Sequence, residues 1–431
     1  MPLYIPEDII HHILSRVPEV KTLVRLSCVC KLWHQIITSD KVFIKAHLRN
    51  QSTRNVLFRH VENKTEERKG YFWTWRCDHN RERFIKVDDE TIIASNMGDL
   101  TKSTELVGCC DGVFCFARYR DVENDWEVCL WNPALRQYKI LPMTVDKVYH
   151  PVAIGFGFDV TSNDYKVVKV YSTYKEEEEK EDKKKSMYIN VDVYSLNTHC
   201  WRTINTRPIT IEQPWIPLRE KGLIHKGCFY WKSRSSDGCK NIYNEDREVI
   251  YLHKVDLSIQ ENGENNFGTY VLPDCIDSVQ FHHLTNFEGY LSICAYANSE
   301  FHLWSMMKGT QPNEWKKQLI GKPAGLGQYR FVALNSKMLT YQFSESSEAS
   351  LVLYDCERKV IDEKLPGGVI HHLSELYDWS YSVADNYVES LVSVIPPRTE
   401  RHKNHLRTLV FGSLPIVLFL SKHFVSHSLK S

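Results

Sequence analysis

The sequence predicts a small all-α domain over residues 1–50, a large all-β domain over residues 51–396 and a basic, apolar tail over residues 397–431. Three observations lead to this fold class. Apolar residues in the first fifty positions recur with a helical period. Beyond them, short runs rich in aromatic and β-branched residues alternate with Asn, Asp, Gly and Pro. Within those runs a two-strand pattern recurs about every 50 to 60 residues, which indicates a repeated β unit.

Three short helices are predicted in the first fifty residues. Pro6 suits the first turn of a helix because it lacks an N–H, and Glu7 and Asp8 suit the positive end of the helix dipole. Pro18 ends that helix, residues 21–26 form a second and residues 27–37 a third. Such a unit has more apolar residues than three short helices can bury, which favours a partner on its surface.

The stretch Cys28-Val-Cys30-Lys-Leu-Trp33-His raises the question of a reactive or metal-binding site. On a helix, positions two apart are separated by about 200°, so the two cysteines would point to opposite sides and could not share a metal ion or a disulfide. We expect Cys30 on the buried apolar stripe with Trp33, and no metal site. The 13 cysteines include no Cys-x-x-Cys, which indicates free thiols in a reducing compartment and predicts a cytoplasmic, or also nuclear, location.

Residues 5–39 resemble an F-box. The resemblance rests, in order and spacing, on Ile5-Pro6, Ile13-Leu14-Ser15-Arg16-Val17-Pro18, Leu23-Val24-Arg25-Leu26 and Val29-Cys30-Lys31-Leu32-Trp33. It implies docking onto a Skp-type adaptor of a cullin–RING ubiquitin ligase. Carried over position by position, it assigns adaptor contact to Pro6, Ile9, Ile13, Leu14, Val17, Pro18, Leu23, Leu26, Val29 and Trp33. Several of these must also form the core of the helices, and the sequence does not divide the two groups.

Five strand–turn–strand runs predict hairpins over residues 128–142, 191–204, 252–273, 301–320 and 351–366. A further strand is predicted within each of the runs 106–117, 223–233, 287–297 and 331–342. Each period therefore holds three or four strands, as does a propeller blade of the kelch type, whose period is about 50 residues. A kelch-like β-propeller is the favoured architecture, and a β-sandwich is the alternative.

This second region resembles the F-box-associated interaction domain of plant F-box proteins. The resemblance rests on Leu106-Val-Gly-Cys-Cys-Asp-Gly112, Leu130-Trp-Asn-Pro133, Gly155-Phe-Gly-Phe-Asp159 with Asp164-Tyr-Lys-Val-Val168, and Tyr387-Val-Glu-Ser-Leu-Val-Ser393. It implies a domain that holds a target protein for ubiquitination and proteasomal degradation. The last motif and the overall length favour the S-locus F-box-like branch, whose members recognise secreted basic ribonucleases in pollen. A basic ribonuclease in self-incompatibility is therefore one candidate target.

The sequence carries no motif of a catalytic or cofactor site that we recognise. Gly-x-Ser-x-Gly, His-Glu-x-x-His and a P-loop are missing, and the run from Gly155 to Asp159 lacks the Gly-x-Gly-x-x-Gly spacing. The glycines of that run are expected to allow close approach between strands. We expect a non-catalytic substrate receptor without cofactor or metal. A propeller-type enzyme and a small-molecule-gated receptor, each using the hub of the β domain, stay open as alternatives.

Charge is distributed unevenly along the chain, although its net value is zero. Residues 1–50 hold seven Lys/Arg and four Asp/Glu, residues 397–431 six and one, and residues 51–396 the remaining 41 and 49. The overall balance does not favour nucleic acid as a partner, and the acidic middle favours a basic target protein. The apolar run 408–420 is shorter than the roughly 20 residues that cross a bilayer, so no membrane span is expected.

Overall fold

The computed structural model describes part of the 431-residue chain: residues 5–51, 55–62, 69–78, 83–88, 104–120, 125–144, 150–176, 185–205, 220–240, 246–258, 267–272, 281–297, 300–307, 315–321, 332–334, 337–343, 349–355, 358, 360–370 and 382–396. The chain divides into two compact units. The helical unit combines Met1–Asn50 with Trp131–Lys139 and Glu389–Ser431, and the sheet unit combines Gln51–Leu130 with Ile140–Val388. The predicted tail, including the apolar run 408–420, lies outside the described residues.

Four helices, rather than three, make up the first fifty residues: α1 (Glu7–Ser15), α2 (Val20–Leu26), α3 (Lys31–Ser39) and α4 (Lys41–Asn50). Pro6 precedes α1, as predicted. The fourth helix begins directly after the third because the Asp40 carboxylate caps it, accepting hydrogen bonds from the backbone N–H groups of Val42 (2.8 Å) and Phe43 (3.2 Å). Within the described ranges, no helix has the length and apolarity needed to cross a membrane.

The third helix was predicted to begin at residue 27, and this start is wrong. The backbone of Cys30 is extended (φ −157°, ψ 167°), and α3 begins only at Lys31. The buried Ser27 hydroxyl donates to the Val24 carbonyl (2.7 Å) at the end of α2, a local bond that competes with continuation of the helix. Cys28 and Cys30 are both exposed, so the prediction that Cys30 lies on the buried stripe is wrong as well.

The core of the helical unit draws on every helix and on two distant segments. Its buried residues are Ile10, Leu14, Val20, Leu23, Ile36, Ile37, Phe43 and Leu391. Partly buried Val17, Leu26, Leu32, Trp33, Ile44, Ala134 and Leu135 pack against them. Leu391 follows the last strand of the chain and Ala134 and Leu135 lie in a hairpin turn, so residues 1–50 do not form this core alone.

Strands make up most of the described chain after residue 50, and they include Trp131, Asn132 and residues 137–139 of the helical unit. The first thirteen are β1 (Asn55–Glu62), β2 (Lys69–Asp78), β3 (Arg83–Asp88), β4 (Glu105–Cys110), β5 (Val113–Arg120), β6 (Asp125–Asn132), β7 (Gln137–Ile140), β8 (His150–Asp159), β9 (Asp164–Glu176), β10 (Lys185–Ser195), β11 (Cys200–Asn205), β12 (Glu220–Lys221) and β13 (Leu223–His225). The others are β14 (Cys228–Lys240), β15 (Asp246–Asp256), β16 (Phe267–Val271), β17 (Phe281–Phe287), β18 (Tyr290–Ala297), β19 (Glu300–Met306), β20 (Trp315–Gly321), β21 (Val332–Leu334), β22 (Lys337–Phe343), β23 (Ala349–Asp355), β24 (Val360–Ile370) and β25 (Ser382–Tyr387).

Within the described ranges these strands form six sheets that succeed one another along the chain. Their strand orders are β25-β1-β2-β3, β4-β5-β6-β7, β11-β10-β9-β8-β12, β13-β14-β15-β16, β17-β18-β19-β20 and β21-β22-β23-β24. The last strand of the chain completes the first sheet, which closes a ring. Strands of successive sheets also contact one another: β25 contacts β4, β4 contacts β8, and β8 contacts β13. This is the arrangement of a β-propeller, and the predicted architecture is confirmed.

The five predicted hairpins are confirmed as the strand pairs β6–β7, β10–β11, β15–β16, β19–β20 and β23–β24. The other four runs were each predicted to hold one strand. This is wrong for 106–117, 223–233 and 331–342, which hold two strands each, while 287–297 holds β18 and the last residue of β17. In three of the four runs the turn is a dipeptide with positive φ at both residues: Asp111-Gly112, Lys226-Gly227 and Glu288-Gly289. Two such residues make the tight turn whose twist matches paired antiparallel strands. Four of the sheets are thus two hairpins in succession, the sheet of β8 to β11 is two hairpins with β12 added, and the first sheet takes one of its four strands from β25.

The glycines in the run from Gly155 to Asp159 do allow close approach, as predicted. A Cβ on Gly155 would lie 2.3 Å from the Phe229 ring and 2.8 Å from the Gly222 carbonyl oxygen. A Cβ on Gly157 would lie 3.2 Å from Ile224. The first of these distances is shorter than any real carbon–carbon contact, so only glycine fits where β8 meets the next sheet.

Candidate protein-docking site

Helix α1 has two apolar faces, and only one of them is buried. Ile10 and Leu14 are 8% and 0% exposed and belong to the core. Ile9 and Ile13, the residues just before them, are each 49% exposed. Because Ile9 and Ile13 are four positions apart, they lie on the same side of the helix. Consecutive helical residues lie about 100° apart, so water meets an isoleucine pair on one side of α1 while the neighbouring side is buried.

Other exposed apolar residues surround this pair in the sequence. Ile5, before α1, is 50% exposed, Val24 on α2 is 41% exposed and Val29 in the turn before α3 is 62% exposed. Isolated exposed valines and isoleucines are normal on protein surfaces. Their concentration in the first thirty residues is the feature expected of a surface that a partner covers.

The ten residues predicted to contact an adaptor divide into three groups by burial. Pro6, Ile9, Ile13, Pro18 and Val29 are exposed. Val17, Leu26 and Trp33 are partly buried against the core, and Leu14 and Leu23 are 0% exposed within it. The division of the predicted set between core and surface, which the sequence does not give, is therefore visible. Ile5 and Val24 are exposed apolar residues that the predicted set leaves out.

Polar contacts fix α1 and α4 beneath the isoleucine pair. The His11 ring lies edge-on to Phe43 with 5.8 Å between centroids, and its Nε2 lies 3.4 Å from an Asp40 carboxylate oxygen. The buried His47 ring stacks on Phe43, and its Nε2–H donates to the Val17 carbonyl (2.9 Å). Burial lowers the pKa of His47, because it disfavours the charged imidazolium more than the carbonyl favours it. The neutral ring thus ties the end of α4 to the loop after α1.

In the sheet unit, the buried Asp125 carboxylate is held by internal partners. Asp125 accepts hydrogen bonds from the Lys169 ammonium (2.7 Å), the Tyr171 hydroxyl (2.6 Å) and the Thr144 hydroxyl (3.1 Å). Burial lowers the pKa of Lys169, and Asp125 opposes that shift. The same burial raises the pKa of Tyr171. This network joins two successive sheets and offers no open side for a substrate.

A serine and a histidine also meet in the sheet unit, the residue types of a nucleophile and its base. Ser233 Oγ lies 2.7 Å from His253 Nε2, and the other ring nitrogen lies 3.2 Å from the Thr269 hydroxyl. Ser233 and His253 are 1% and 0% exposed. Burial lowers the pKa of His253 to about 3. A pair sealed in this way is a satisfied polar contact of the core rather than a catalytic dyad.

In the described ranges, no three or more His, Cys, Asp or Glu side chains are placed to hold a metal ion. The exposed Cys28 and Cys30 therefore belong to no such group. The exposed apolar side of α1 remains the clearest candidate site, and what it can do chemically is to bury its isoleucines against another protein.

Comparison with known proteins agrees with this division. The family model of an F-box-like domain matches residues 3–49, and the model of the F-box associated beta propeller domain matches residues 56–363. An F-box protein of Arabidopsis thaliana is 26% identical over 53% of this chain and 55% of its own length. An F-box/kelch-repeat protein of the same plant is 24% identical over 57% and 63%. The chain thus spans about half to three-fifths of these curated relatives.

Among solved structures, a protein from Lactobacillus plantarum matches 72% of this chain and 96% of its own at 9% identity. Its TM-score is 0.36. A likeness this low supports no argument, and we draw none from it.

Proposed function

Because this chain belongs to the family of plant F-box proteins with an F-box-associated β-propeller domain, we propose that it is the substrate-recognition subunit of an SCF-type cullin–RING ubiquitin ligase. The helical unit docks on a Skp-type adaptor, and the propeller holds a target protein. The observation that carries the proposal is the half-exposed pair Ile9 and Ile13 on a helix whose adjacent face is buried in the core.

In this proposal the chain positions the target protein and performs no chemical step itself. Holding a target beside a ubiquitin-charged enzyme raises the effective concentration of the target's amino groups, and other subunits supply the reactive groups. No catalytic residue is then needed in this chain. The sealed pair of Ser233 and His253 supports this, since a nucleophile must be reachable by its substrate.

The target in this proposal is a basic protein that is ubiquitinated and then degraded by the proteasome. Residues 51–396 hold 41 Lys/Arg against 49 Asp/Glu, and an acidic surface attracts and orients a basic partner. A secreted basic ribonuclease of pollen self-incompatibility is the specific candidate, supported by the run Tyr387–Ser393. A cytoplasmic or nuclear location, supported by the 13 cysteines without a Cys-x-x-Cys, is part of the same proposal.

Adaptor binding is the step that tests the proposal. Ile9→Asp and Ile13→Asp each place a carboxylate on the exposed side of α1, where it costs little in the free chain but would be buried unpaired in the complex. A loss of about 100-fold in adaptor affinity is expected, since a desolvated unpaired charge costs several kcal/mol. Titration calorimetry with purified adaptor and full-length chain measures it.

Val42→Asp is the matched control. Val42 is 77% exposed on α4 of the same unit, and an acidic residue suits the first turn of a helix. This variant should bind the adaptor as the unaltered chain does. Equal affinity for Ile9→Asp, Ile13→Asp and the unaltered chain would refute the docking site, whereas failure of the unaltered chain to bind would refute the function itself.

A further inference from the structure

Asn132 occupies a buried position from which it ties together two distant parts of the helical unit. Its side chain is 0% exposed. The amide nitrogen donates to the carbonyl oxygens of Ser390 (3.0 Å) and Val392 (2.8 Å), some 260 residues further along the chain. The amide oxygen accepts a bond from the Leu135 backbone N–H (3.3 Å), inside its own hairpin turn. All of the amide's bonds thus serve to hold backbone.

A second contact of the same kind lies at the other end of the turn. The Gln137 side-chain oxygen accepts hydrogen bonds from the Ser393 hydroxyl (2.9 Å) and the Val394 N–H (3.3 Å). Ser390 Oγ accepts from the N–H of Val392 (3.0 Å) and so shapes the segment internally. We call the segment 389–395 the C-terminal strap. The strap has little regular structure of its own and depends on Asn132 and Gln137 for its course.

Leu391 lies between the two carbonyls that Asn132 holds, and its side chain enters the helical core. It is 3% exposed and belongs to the same buried cluster as Ile10 and Leu14 of α1. Ala134 and Leu135, from the turn that Asn132 braces, pack against that cluster. The strap therefore adds the Leu391 side chain to the helical core, and the turn adds Ala134 and Leu135, which pack against that core. Residues 1–50 do not complete this core by themselves.

The helices themselves have little stability to spare. They contain nine, seven, nine and ten residues, and isolated helices of that length are marginal in water. A unit of about fifty residues buries a small fraction of its surface, so its stability is marginal. The exposed pair on α1 keeps its position only while Ile10 and Leu14 stay packed on the adjacent face of the helix.

We propose that the adaptor-docking surface is assembled only when the C-terminal strap is in place, and that Asn132 is the positioning residue that holds it there. The proposal rests on the adaptor docking proposed above and deepens it. In this proposal the F-box of this chain is formed by two distant parts of the sequence. The helices of residues 1–50 are completed by residues that lie about 340 positions after the end of α4. A chain that lacks the strap, or fails to dock it, would then keep its F-box sequence and lose its place in the ligase.

The test uses full-length chain in which Asn132→Ala removes the amide and leaves the backbone intact. Two readouts are compared with the unaltered chain: the dissociation constant for purified adaptor, and hydrogen exchange of the α1 amides. If the docking-competent state falls to a tenth of the population or less, adaptor affinity falls at least about tenfold. Exchange in α1 should accelerate by a similar factor.

Arg136→Asn is the matched control. Arg136 is an exposed residue of the same turn, with φ of 52°, a conformation that asparagine adopts readily. Both readouts should match those of the unaltered chain. Should Asn132→Ala fail to fold, judged by loss of the β-sheet dichroism, Leu391→Ala replaces it, and Leu391→Met should restore most of the affinity because it refills the site.

The outcomes separate the two proposals. If the unaltered chain does not bind the adaptor, the proposed function fails, and α1 exchange alone still decides whether Asn132 and Leu391 support the helices. If the unaltered chain binds and Asn132→Ala and Leu391→Ala bind within twofold of it with unchanged α1 exchange, the strap proposal is overturned. Loss of affinity with faster α1 exchange in either variant supports it.

Discussion

The helical unit and the sheet unit differ in which side chains they expose to solvent and which they bury. The helical unit leaves Ile9 and Ile13 half exposed while it takes Leu391 into its core. The sheet unit buries Asp125 and Lys169 and satisfies both with internal hydrogen bonds. Exposed apolar surface is useful only when something covers it, and a buried charge persists only when it is paired. We infer that the exposed apolar surface of the helical unit serves binding, whereas the paired charges inside the sheet unit serve the stability of the fold.

The largest effect is expected at Asp125. Asp125→Ala leaves the buried Lys169 ammonium with the Trp126 carbonyl (2.8 Å) and without its carboxylate. Removing one partner of a buried pair typically costs about 3–5 kcal/mol. Urea unfolding followed by tryptophan fluorescence measures the free energy of unfolding. The double variant Asp125→Ala/Lys169→Met should recover part of the loss, and a single-variant loss below about 1 kcal/mol would show that this interior does not depend on its charges.

Leu14→Ala tests the packed side of α1. Leu14 is 0% exposed in a core built from short helices, and removing a buried leucine side chain costs about 2–5 kcal/mol through lost burial and the cavity left behind. The loss should show as faster hydrogen exchange of the α1 amides. Unchanged exchange would mean that the helical core carries less of the stability of α1 than its burial indicates.

Acid should weaken the sheet unit through His253. Its pKa is about 3 in the folded chain because of burial, against 6.5 for an ordinary histidine. Between these values the unfolded chain binds more protons, so the free energy of unfolding falls by about 1.4 kcal/mol per pH unit below pH 6.5. At pH 5 this amounts to about 2 kcal/mol.

His253→Gln supplies the comparison for that pH dependence, because glutamine keeps a donor and an acceptor but does not titrate. Urea unfolding at several pH values between 7 and 5 should give a flatter profile for this variant. His47, whose pKa is also lowered by burial, remains in both chains and cancels. Parallel profiles would contradict the assignment of the titration to His253.

Local patterns predicted those features that neighbouring residues determine. The start of α1 at Glu7 and the five outer hairpins follow from short-range signals: a proline, an acidic first turn, and alternating strands with polar turns. The Asp111-Gly112 turn was missed although its sequence signal was present, because a run of apolar residues on both sides resembles one long strand.

The features that sequence could not give depend on contacts between distant residues. No local period shows that Leu391 belongs to the helical core or that Asn132 bonds to Ser390 and Val392. The two motifs that contain these residues, Leu130–Pro133 and Tyr387–Ser393, were read as family signals. Their hydrogen bonds give both motifs a structural role as well.

The smallest effect on stability, and the sharpest test of the comparison, is expected at Ile13. Ile13→Ser changes a residue that directly precedes Leu14 but lies on the half-exposed side of α1. An exposed substitution away from packed features usually changes the free energy of unfolding by no more than about 0.5 kcal/mol. Hydrogen exchange of α1 should therefore match that of the unaltered chain while adaptor affinity falls, whereas loss of a core residue such as Leu14 should speed the exchange. A stability loss above about 1 kcal/mol would assign Ile13 to the core, and the two sides of α1 would no longer divide binding from folding.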